Sequence, residues 1–186
     1  MADPDRLFAP VRRIVTGNDA EGRSSIVEDG APPAVITVPE RPGYVVENVW
    51  VTGETPAAIG REDASTGHSG ILPPANGTIL RVIDYPPEPE TREAFEAMAR
   101  ATFRAIYPDV AHDPNENPHA GMHKTETVDY AIVLEGELVA VMEDGDTVLK
   151  AGDILVQRGT NHAWANRGDA PCQIAFILIG AKPPWD

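Results

Sequence analysis

Closely spaced short strands dominate the C-terminal part of the chain, and they constrain its fold more than any other sequence feature. From Val128 onward, short apolar runs alternate with turns that contain Gly or Asp. The predicted strands cover residues 130–134, 137–142, 147–150, 153–157, 162–166 and 172–179. Six strands within about 50 residues, joined by hairpin turns, favour an antiparallel barrel or jelly roll.

The N-terminal part carries further short apolar runs bounded by turn residues. Strands are predicted at residues 11–16, 24–27, 34–38, 44–51 and 78–85. Residues 53–77 are rich in Gly, Pro, Ala and Ser and predict a long irregular loop, a kind of segment that is usually functional or mobile. We therefore divide the chain into residues 1–77, a β arm and loop that completes the barrel or swaps onto it, and residues 78–186, the barrel itself.

One helix is predicted, from about Thr91 to Tyr107. Thr91 is a suitable N-cap and Pro108 ends the helical pattern. Apolar side chains recur with the helical period at Phe95, Met98, Ala99, Phe103 and Ile106. We interpret this stripe as a packing face. The predicted class is all-β, with an N-terminal strand arm and one inserted α-helix.

Charge and cysteine content exclude several kinds of protein. Fifteen Lys and Arg stand against 29 Asp and Glu, which gives a net charge of −14. Because phosphate binding needs basic side chains, neither nucleic acid nor an anionic membrane is an expected partner. Cys172 is the only cysteine, so an intrachain disulfide and a Cys-rich zinc site are excluded. No secretory or membrane-spanning segment is recognised, which predicts a cytoplasmic protein.

Two segments carry the residues of chemical interest. In the first, residues 121–136, the side chains of His123, Thr125 and Asp129 have the same parity. Alternate residues of a strand share a face, so all three can point into one barrel interior. The second segment, residues 152–166, carries His162 and Trp164, which also share a face.

These segments resemble the two motifs of the cupin superfamily, G-x5-H-x-H-x3-E-x6-G and G-x5-P-x-G-x2-H-x3-N. This chain reads His123-x-Thr125-x3-Asp129-x6-Gly136 and Gly152-x4-Gln157-x-Gly159-x2-His162-x3-Asn166. It departs at the second histidine, the glutamate and the proline, where it has Thr125, Asp129 and Gln157. The resemblance implies a single-domain cupin barrel, the jelly roll also called a double-stranded β-helix.

The resemblance also implies a metal site. A cupin usually offers three histidines and one carboxylate, and the matching positions here are His123, Asp129 and His162. Two histidines and one carboxylate suit Fe(II) in oxygenases, and Zn also accepts them. The resemblance leaves Mn and Ni open as well. The expected cofactor is therefore a divalent metal ion of undetermined identity.

Other side chains around the motifs have open roles. Thr125 is a weak ligand that could hold a metal-bound water or contact substrate. Glu126 has the wrong parity for a regular strand, but a bulge could turn it inward. His119 lies four residues before His123 and shares its parity, so it could replace the missing histidine. Glu126 and His119 are the candidate catalytic proton carriers.

Two tryptophans are candidate substrate contacts. Trp164 is interpreted either as a pocket wall or as a core residue. Arg61 belongs to the loop 53–77 and Trp50 lies near it, and we predict that this loop, with these two residues, caps the pocket.

Three functions remain open at this point. The first is a metal-dependent cupin enzyme that acts on a small carboxylate, enol, ketone or phenolic compound, with an Fe(II) dioxygenase as the leading form. The second is a redox-neutral decarboxylase, dehydratase, lyase or isomerase that uses Mn, Ni or Zn. The third is a cupin that binds a small ligand without catalysis. The exposed strand edges of the arm predict a homodimer.

Overall fold

The described part of the chain folds into antiparallel β-sheets with one α-helix inserted between strands. The computed structural model describes residues 6–60, 62–110, 112–113 and 117–182. Within them the strands are β1 (Arg13–Asn18), β2 (Ser24–Gly30), β3 (Ala34–Thr37), β4 (Val45–Thr52), β5 (Thr78–Tyr85), β6 (Thr127–Glu135), β7 (Glu137–Met142), β8 (Gly145–Lys150), β9 (Ile154–Arg158), β10 (His162–Ala165) and β11 (Cys172–Gly180). Helix α1 spans Arg92–Ile106 and a short 3₁₀ turn spans Ala64–Gly67. The predicted fold class is confirmed.

Two sheets form the barrel. One contains six strands in the order β3-β4-β5-β11-β6-β9, and the other contains three in the order β10-β7-β8. Inward-facing side chains of both sheets join one apolar core, which includes Ile83, Val133, Leu138, Leu149 and Ile174. This shared core holds the sheets face to face, because each sheet buries one apolar face against the other.

The N-terminal segment enters the fold in two ways. Strands β3 and β4 extend the six-stranded sheet beside β5 within the same chain. Strands β1 and β2 form a separate hairpin whose Ile14, Ile26 and Val27 side chains are exposed. The homodimer and the exchange of the arm between subunits stay predictions.

Helix α1 begins and ends near the predicted residues. The Thr91 hydroxyl accepts a hydrogen bond from the Ala94 N–H at 3.3 Å, which satisfies a donor of the first turn. Tyr107 follows the last turn, and its N–H donates to the Phe103 carbonyl at 2.9 Å. No helix among the described residues is long and apolar enough to cross a membrane.

Two motif glycines allow close backbone contacts. Gly136 has a φ of +78°, and a Cβ there would lie 2.5 Å from the Pro171 carbonyl oxygen. Gly159 has a φ of +61°, and a Cβ there would lie 3.2 Å from the Thr125 carbonyl oxygen. Glycine tolerates this left-handed backbone without a steric penalty. Gly159 therefore lets the two motif segments approach each other.

The core should lose stability sharply when its central isoleucine is truncated. Ile174 lies in β11 with no exposed surface, whereas Ile154 in edge strand β9 is 64% exposed. We expect Ile174→Ala to lower the free energy of unfolding by about 2–5 kcal/mol. The matched control Ile154→Ala should change it by less than about 0.5 kcal/mol. Urea denaturation measures both, and equal losses would contradict this account of the core.

Candidate active site

The backbone brings His123 and His162 side by side. The His123 N–H donates to the His162 carbonyl at 2.9 Å, and the His162 N–H donates back to the His123 carbonyl at 3.0 Å. Their ring centroids lie 4.5 Å apart, with an angle of 45° between the ring planes. The pairing predicted from the two motifs thus rests on main-chain geometry.

Each imidazole has a defined tautomer. His123 Nδ1 lies 2.9 Å from the Gly121 carbonyl oxygen, and His162 Nδ1 lies 2.9 Å from the Thr160 carbonyl oxygen. A carbonyl oxygen only accepts, so both Nδ1 atoms carry the proton and both Nε2 atoms keep a lone pair. Burial, together with the neighbouring ring of His162, lowers the pKa of His123 to about 3. Burial lowers the pKa of His162 to about 4. Both rings are therefore neutral at pH 7.

Gln157 shapes the turn that delivers His162. It stands where the cupin motif has proline, and its side chain is buried. Its Nε2 donates to the Thr160 carbonyl at 2.9 Å, and its Oε1 accepts from the Thr160 hydroxyl at 3.0 Å. The same Thr160 carbonyl receives the His162 Nδ1–H. The hydrogen bonds of the Gln157 side chain thus hold this turn, whereas a proline would restrict its backbone directly.

Asp129 is a buried carboxylate with an unused acceptor. It lies in β6, is 4% exposed, and its Oδ1 has no hydrogen-bond partner in the described part of the chain. Burial raises its pKa to about 6, against the opposing effects of a hydrogen bond from Thr127 and of the Arg81 charge. Asp129 pairs with Leu178 of β11, and Arg81 of β5 pairs with Phe176 on the other side of that strand. The two side chains therefore lie on the same face of the sheet, on opposite sides of β11 and offset by two residues.

These groups line one pocket inside the barrel. The cavity volume is about 60 Å³, and about 710 Å³ when the open space out to solvent is included. The polar side chains of the lining are Arg41, Arg81, Thr102, His123, Thr125, Asp129 and His162, and the backbone of Gly121 also borders the cavity. The rest is apolar or aromatic: Ile71, Ile83, Phe95, Met98, Ala99, Phe103, Trp164, Phe176 and Leu178, with Tyr44, Tyr85 and Tyr107. A mostly apolar cavity with a few convergent polar groups is typical of small-molecule sites.

Side chains that the sequence singled out in the first motif, the second motif and the helix also line the pocket. Thr125 lines it, and its hydroxyl lies 2.8 Å from that of Thr127. Trp164 is a pocket wall, with its ring centroid 5.5 Å from that of His162. The apolar face of α1, interpreted from sequence as packing, supplies Phe95 and Phe103 as a further wall.

Three predicted site residues lie outside the pocket lining. His119 Nδ1 accepts from the Gly121 N–H and its Nε2 lies 3.2 Å from Glu88 Oε1, so both ring nitrogens are occupied. The side chain of Glu126 is exposed, because no bulge turns it inward. The Arg13 guanidinium lies over the Trp50 ring, with its central carbon 5.9 Å from the ring centroid. The structure therefore does not bring these three to the histidine pair.

The loop 53–77 reaches the pocket through a different residue. Ile71 lines the cavity, and the Asp109 carboxylate holds the loop by accepting from the N–H groups of Ile71 and Leu72 at 2.9 and 2.8 Å. Arg61, the other predicted contact in this loop, lies outside the described residues.

The sequence reasoning missed two arginines that line the pocket. Arg81 stands at the centre of strand TILRVIDY. The signal in the sequence was a charged residue with the same parity as Ile83, because the two side chains share a face of the strand and both line the pocket. Arg41 precedes β4 in a turn, where no periodic pattern places a side chain. Its partners are the ring of Tyr44, which immediately precedes β4, and the ring of Tyr85, which ends β5.

Comparison with known proteins establishes the family. The family model for the cupin domain matches residues 110–179. Oryzines biosynthesis cluster protein J from Aspergillus oryzae is 30% identical over 182 residues, covering 97% of this chain and 88% of that protein. Phomopsin biosynthesis cluster protein C' from Diaporthe leptostromiformis is 29% identical over 182 residues, covering 92% and 79%. The cupin-domain-containing oxidoreductase virC of Hypocrea virens is 24% identical over 180 residues, covering 92% and 76%.

The chain belongs to the cupin family. The full-length relatives cover nearly the whole chain, including the strands that precede the barrel motifs. The similarity to cupin-domain-containing oxidoreductases, together with the pocket, supports an enzyme-like role within that family.

Cupin barrels typically bind a metal, but the residues of this pocket do not fit the family's ligand set. In the described residues, no three His, Cys, Asp or Glu side chains come close enough together to hold a metal ion. His123 and His162 offer two Nε2 atoms, while Thr125 replaces the second histidine of the first motif. Asp129 is one methylene shorter than the motif's glutamate. His123, Asp129 and His162 line the same pocket, but the described residues form no group of three metal ligands there, so this ligand set stays a prediction.

The neutral histidines predict a specific loss of stability in acid. The unfolded chain binds a proton on His162 near pH 6.5, whereas the folded chain does so only near pH 4. Its contribution is thus fully present above about pH 6.5 and falls as the pH drops toward 4. Between pH 7 and pH 5, we expect the free energy of unfolding to fall by about 1–2 kcal/mol more in the wild type than in His162→Gln. Urea titrations at both pH values measure this difference, and parallel pH profiles would contradict it.

Proposed function

We propose that the chain is a cupin-family enzyme that transfers a proton on a small organic substrate held in the barrel pocket, with Asp129 as the acid–base group. The observation that carries this proposal is the buried Asp129 carboxylate, whose Oδ1 has no partner among the described residues. A buried carboxylate oxygen without a partner costs stability, and such costs are concentrated at functional sites. Substrate binding and proton transfer would use this free acceptor.

The environment of Asp129 suits both halves of a proton transfer. With a pKa of about 6, the group is mostly ionised at pH 7 yet accepts a proton readily. The Arg81 charge and the Thr127 hydroxyl favour the ionised form and limit the rise that burial causes. Asp129 can thus take a proton from a carbon beside a carbonyl, while the bonding electrons move onto the carbonyl oxygen. It can then return the proton elsewhere on the substrate.

The histidine pair supports this chemistry by orienting the substrate. Both Nε2 atoms are acceptors, because both Nδ1 protons are donated to backbone carbonyls. Two adjacent acceptors suit a substrate that carries hydroxyl or enol O–H groups. Because Asp129 takes a proton from such a substrate and returns it, the reaction is redox-neutral. Isomerases, dehydratases and lyases carry out reactions of this kind.

The pocket walls favour a flat substrate body. Trp164 packs against Phe176 with ring centroids 5.0 Å apart, and the Phe103 ring lies 5.2 Å from that of His123. Aromatic walls of this kind bury apolar or aryl groups and keep water from the reacting atoms.

A metal-dependent oxidoreductase, including the Fe(II) dioxygenase, is the second candidate. The names of two relatives favour it, the cupin-domain-containing oxidoreductases virC of Hypocrea virens and fogC of Aspergillus ruber. The two lone pairs on the histidine Nε2 atoms are also compatible with a metal. Elemental analysis of the purified protein and of His162→Gln separates the candidates. Stoichiometric Fe, Mn, Zn or Ni that disappears in the variant would favour the second.

Proton transfer at Asp129 predicts hydrogen exchange on enolisable compounds. In D2O at pH 7.5, the wild type should speed deuterium uptake beside the carbonyl of 4-phenyl-2-butanone or 3-phenylpropanal, as followed by NMR. We expect Asp129→Asn to reduce the catalysed rate by about 100-fold or more, since the amide cannot take the proton. The rate should rise with pH around a midpoint near pH 6, following ionisation of Asp129, and level off at higher pH.

Asp144→Asn is the matched control, because Asp144 is exposed in the turn between β7 and β8. It should keep the wild-type rate, as should protein treated with a strong chelator. Full exchange in Asp129→Asn, or no exchange by the wild type across such compounds, would contradict the proposal. Ligand binding without exchange would point to the non-catalytic binding protein instead.

A further inference from the structure

We propose that the substrate carries a carboxylate, which Arg41 and Arg81 bind inside the pocket. This inference deepens the proposed function by naming the chemical class of its substrate. It stands on two buried guanidinium groups in the lining of a cavity that is otherwise mostly apolar.

Arg81 has hydrogen-bonding capacity left over. It lies in the middle of β5, is 2% exposed, and lines the pocket. Its Nη2 donates to the Gly70 carbonyl at 3.2 Å, while its Nε has no partner in the part of the chain that the structure describes. A guanidinium has five N–H donors, so a buried one with a free Nε lacks an acceptor.

Arg41 is held at the same cavity by aromatic rings. Its guanidinium carbon lies 4.0 Å from the ring centroid of Tyr44 and 5.3 Å from that of Tyr85. It is 9% exposed, and its Nε also has no hydrogen-bond partner among the described residues. The Tyr44 hydroxyl is engaged with that of Tyr107 at 2.8 Å, so it offers Arg41 a ring face while its oxygen is already paired.

The charges in the lining do not balance. Two guanidinium groups face one carboxylate, Asp129, and the two histidines are neutral. The lining therefore carries a positive excess even with Asp129 ionised, in a chain whose overall net charge is −14. Burying an unbalanced cation is costly, and a ligand carboxylate removes that cost.

The chemistry of the two side chains selects a carboxylate. Guanidinium forks bind carboxylate oxygens through paired, charge-assisted hydrogen bonds. The free Nε of each arginine is one of the donors that such a pairing uses. A single carboxylate matches the single excess charge, whereas a phosphate dianion exceeds it. The aromatic walls accommodate the apolar body of the same molecule.

Matched charged and neutral probes test the inference directly. 3-Phenylpropionate and 3-phenylpropanamide differ little in shape but differ in charge, and calorimetry or ligand-observed NMR at 0.15 M salt gives both affinities. We expect wild-type protein to bind the carboxylate at least tenfold more tightly than the amide. Arg81→Met and Arg41→Met should each weaken carboxylate binding at least tenfold and leave amide binding within twofold.

Arg158→Met is the control, because Arg158 is exposed on edge strand β9. It should leave both affinities unchanged. The wild-type comparison of the two probes decides the question even where a buried arginine variant does not fold. Equal affinities, or no binding of either probe, would overturn the inference.

The outcomes also separate this inference from the proposed reaction. Exchange that depends on Asp129, combined with equal affinity for the two probes, would overturn the carboxylate and leave the proton transfer in place. A carboxylate preference that depends on Arg81, without any exchange, would support the inference and overturn the proposed reaction.

Discussion

The site depends on one pair of reciprocal backbone hydrogen bonds, which join His123 to His162. These bonds connect the segment before β6 with the start of β10, so they link the two sheets at the pocket. Because main-chain atoms make them, the pairing of the two segments does not depend on a metal. The turn at Gln157 and the close approach at Gly159 support the same junction.

Burial is the common cause of the unusual titration behaviour in the pocket. The low-dielectric interior disfavours charge, and so it lowers the pKa of both histidines and raises that of Asp129. The result is a pair of neutral acceptors in the same pocket as a carboxylate whose pKa lies near 6. The hydrogen bond from Thr127 and the charge of Arg81 limit the rise in that pKa.

The sequence predicts the strands, the helix and the histidine pair because those features are local or follow a known pair of motifs. Alternation predicted that Thr125 and Asp129 point into the barrel, and both side chains are buried. Alternation could not show that Asp129 and the two histidines form no group of three metal ligands among the described residues, because that depends on distances across the sheets. His119 was placed by parity beyond the strand, where Glu88 and the Gly121 N–H fix its ring instead. Arg41 was missed because its position follows from contacts with the rings of Tyr44 and of Tyr85, which lies far away in the sequence.

Titration of the Asp129 carboxyl group distinguishes a buried acid–base group from an ordinary carboxylate. Carbon-13 NMR of protein labelled at the aspartate carboxyl carbons follows each group with pH, and Asp129→Asn identifies the Asp129 signal. The proposed acid–base role of Asp129 predicts a midpoint near pH 6. A midpoint at or below the ordinary value of 3.8 would contradict it, because the carboxylate would then be paired or solvated and unsuited to exchange protons at neutral pH.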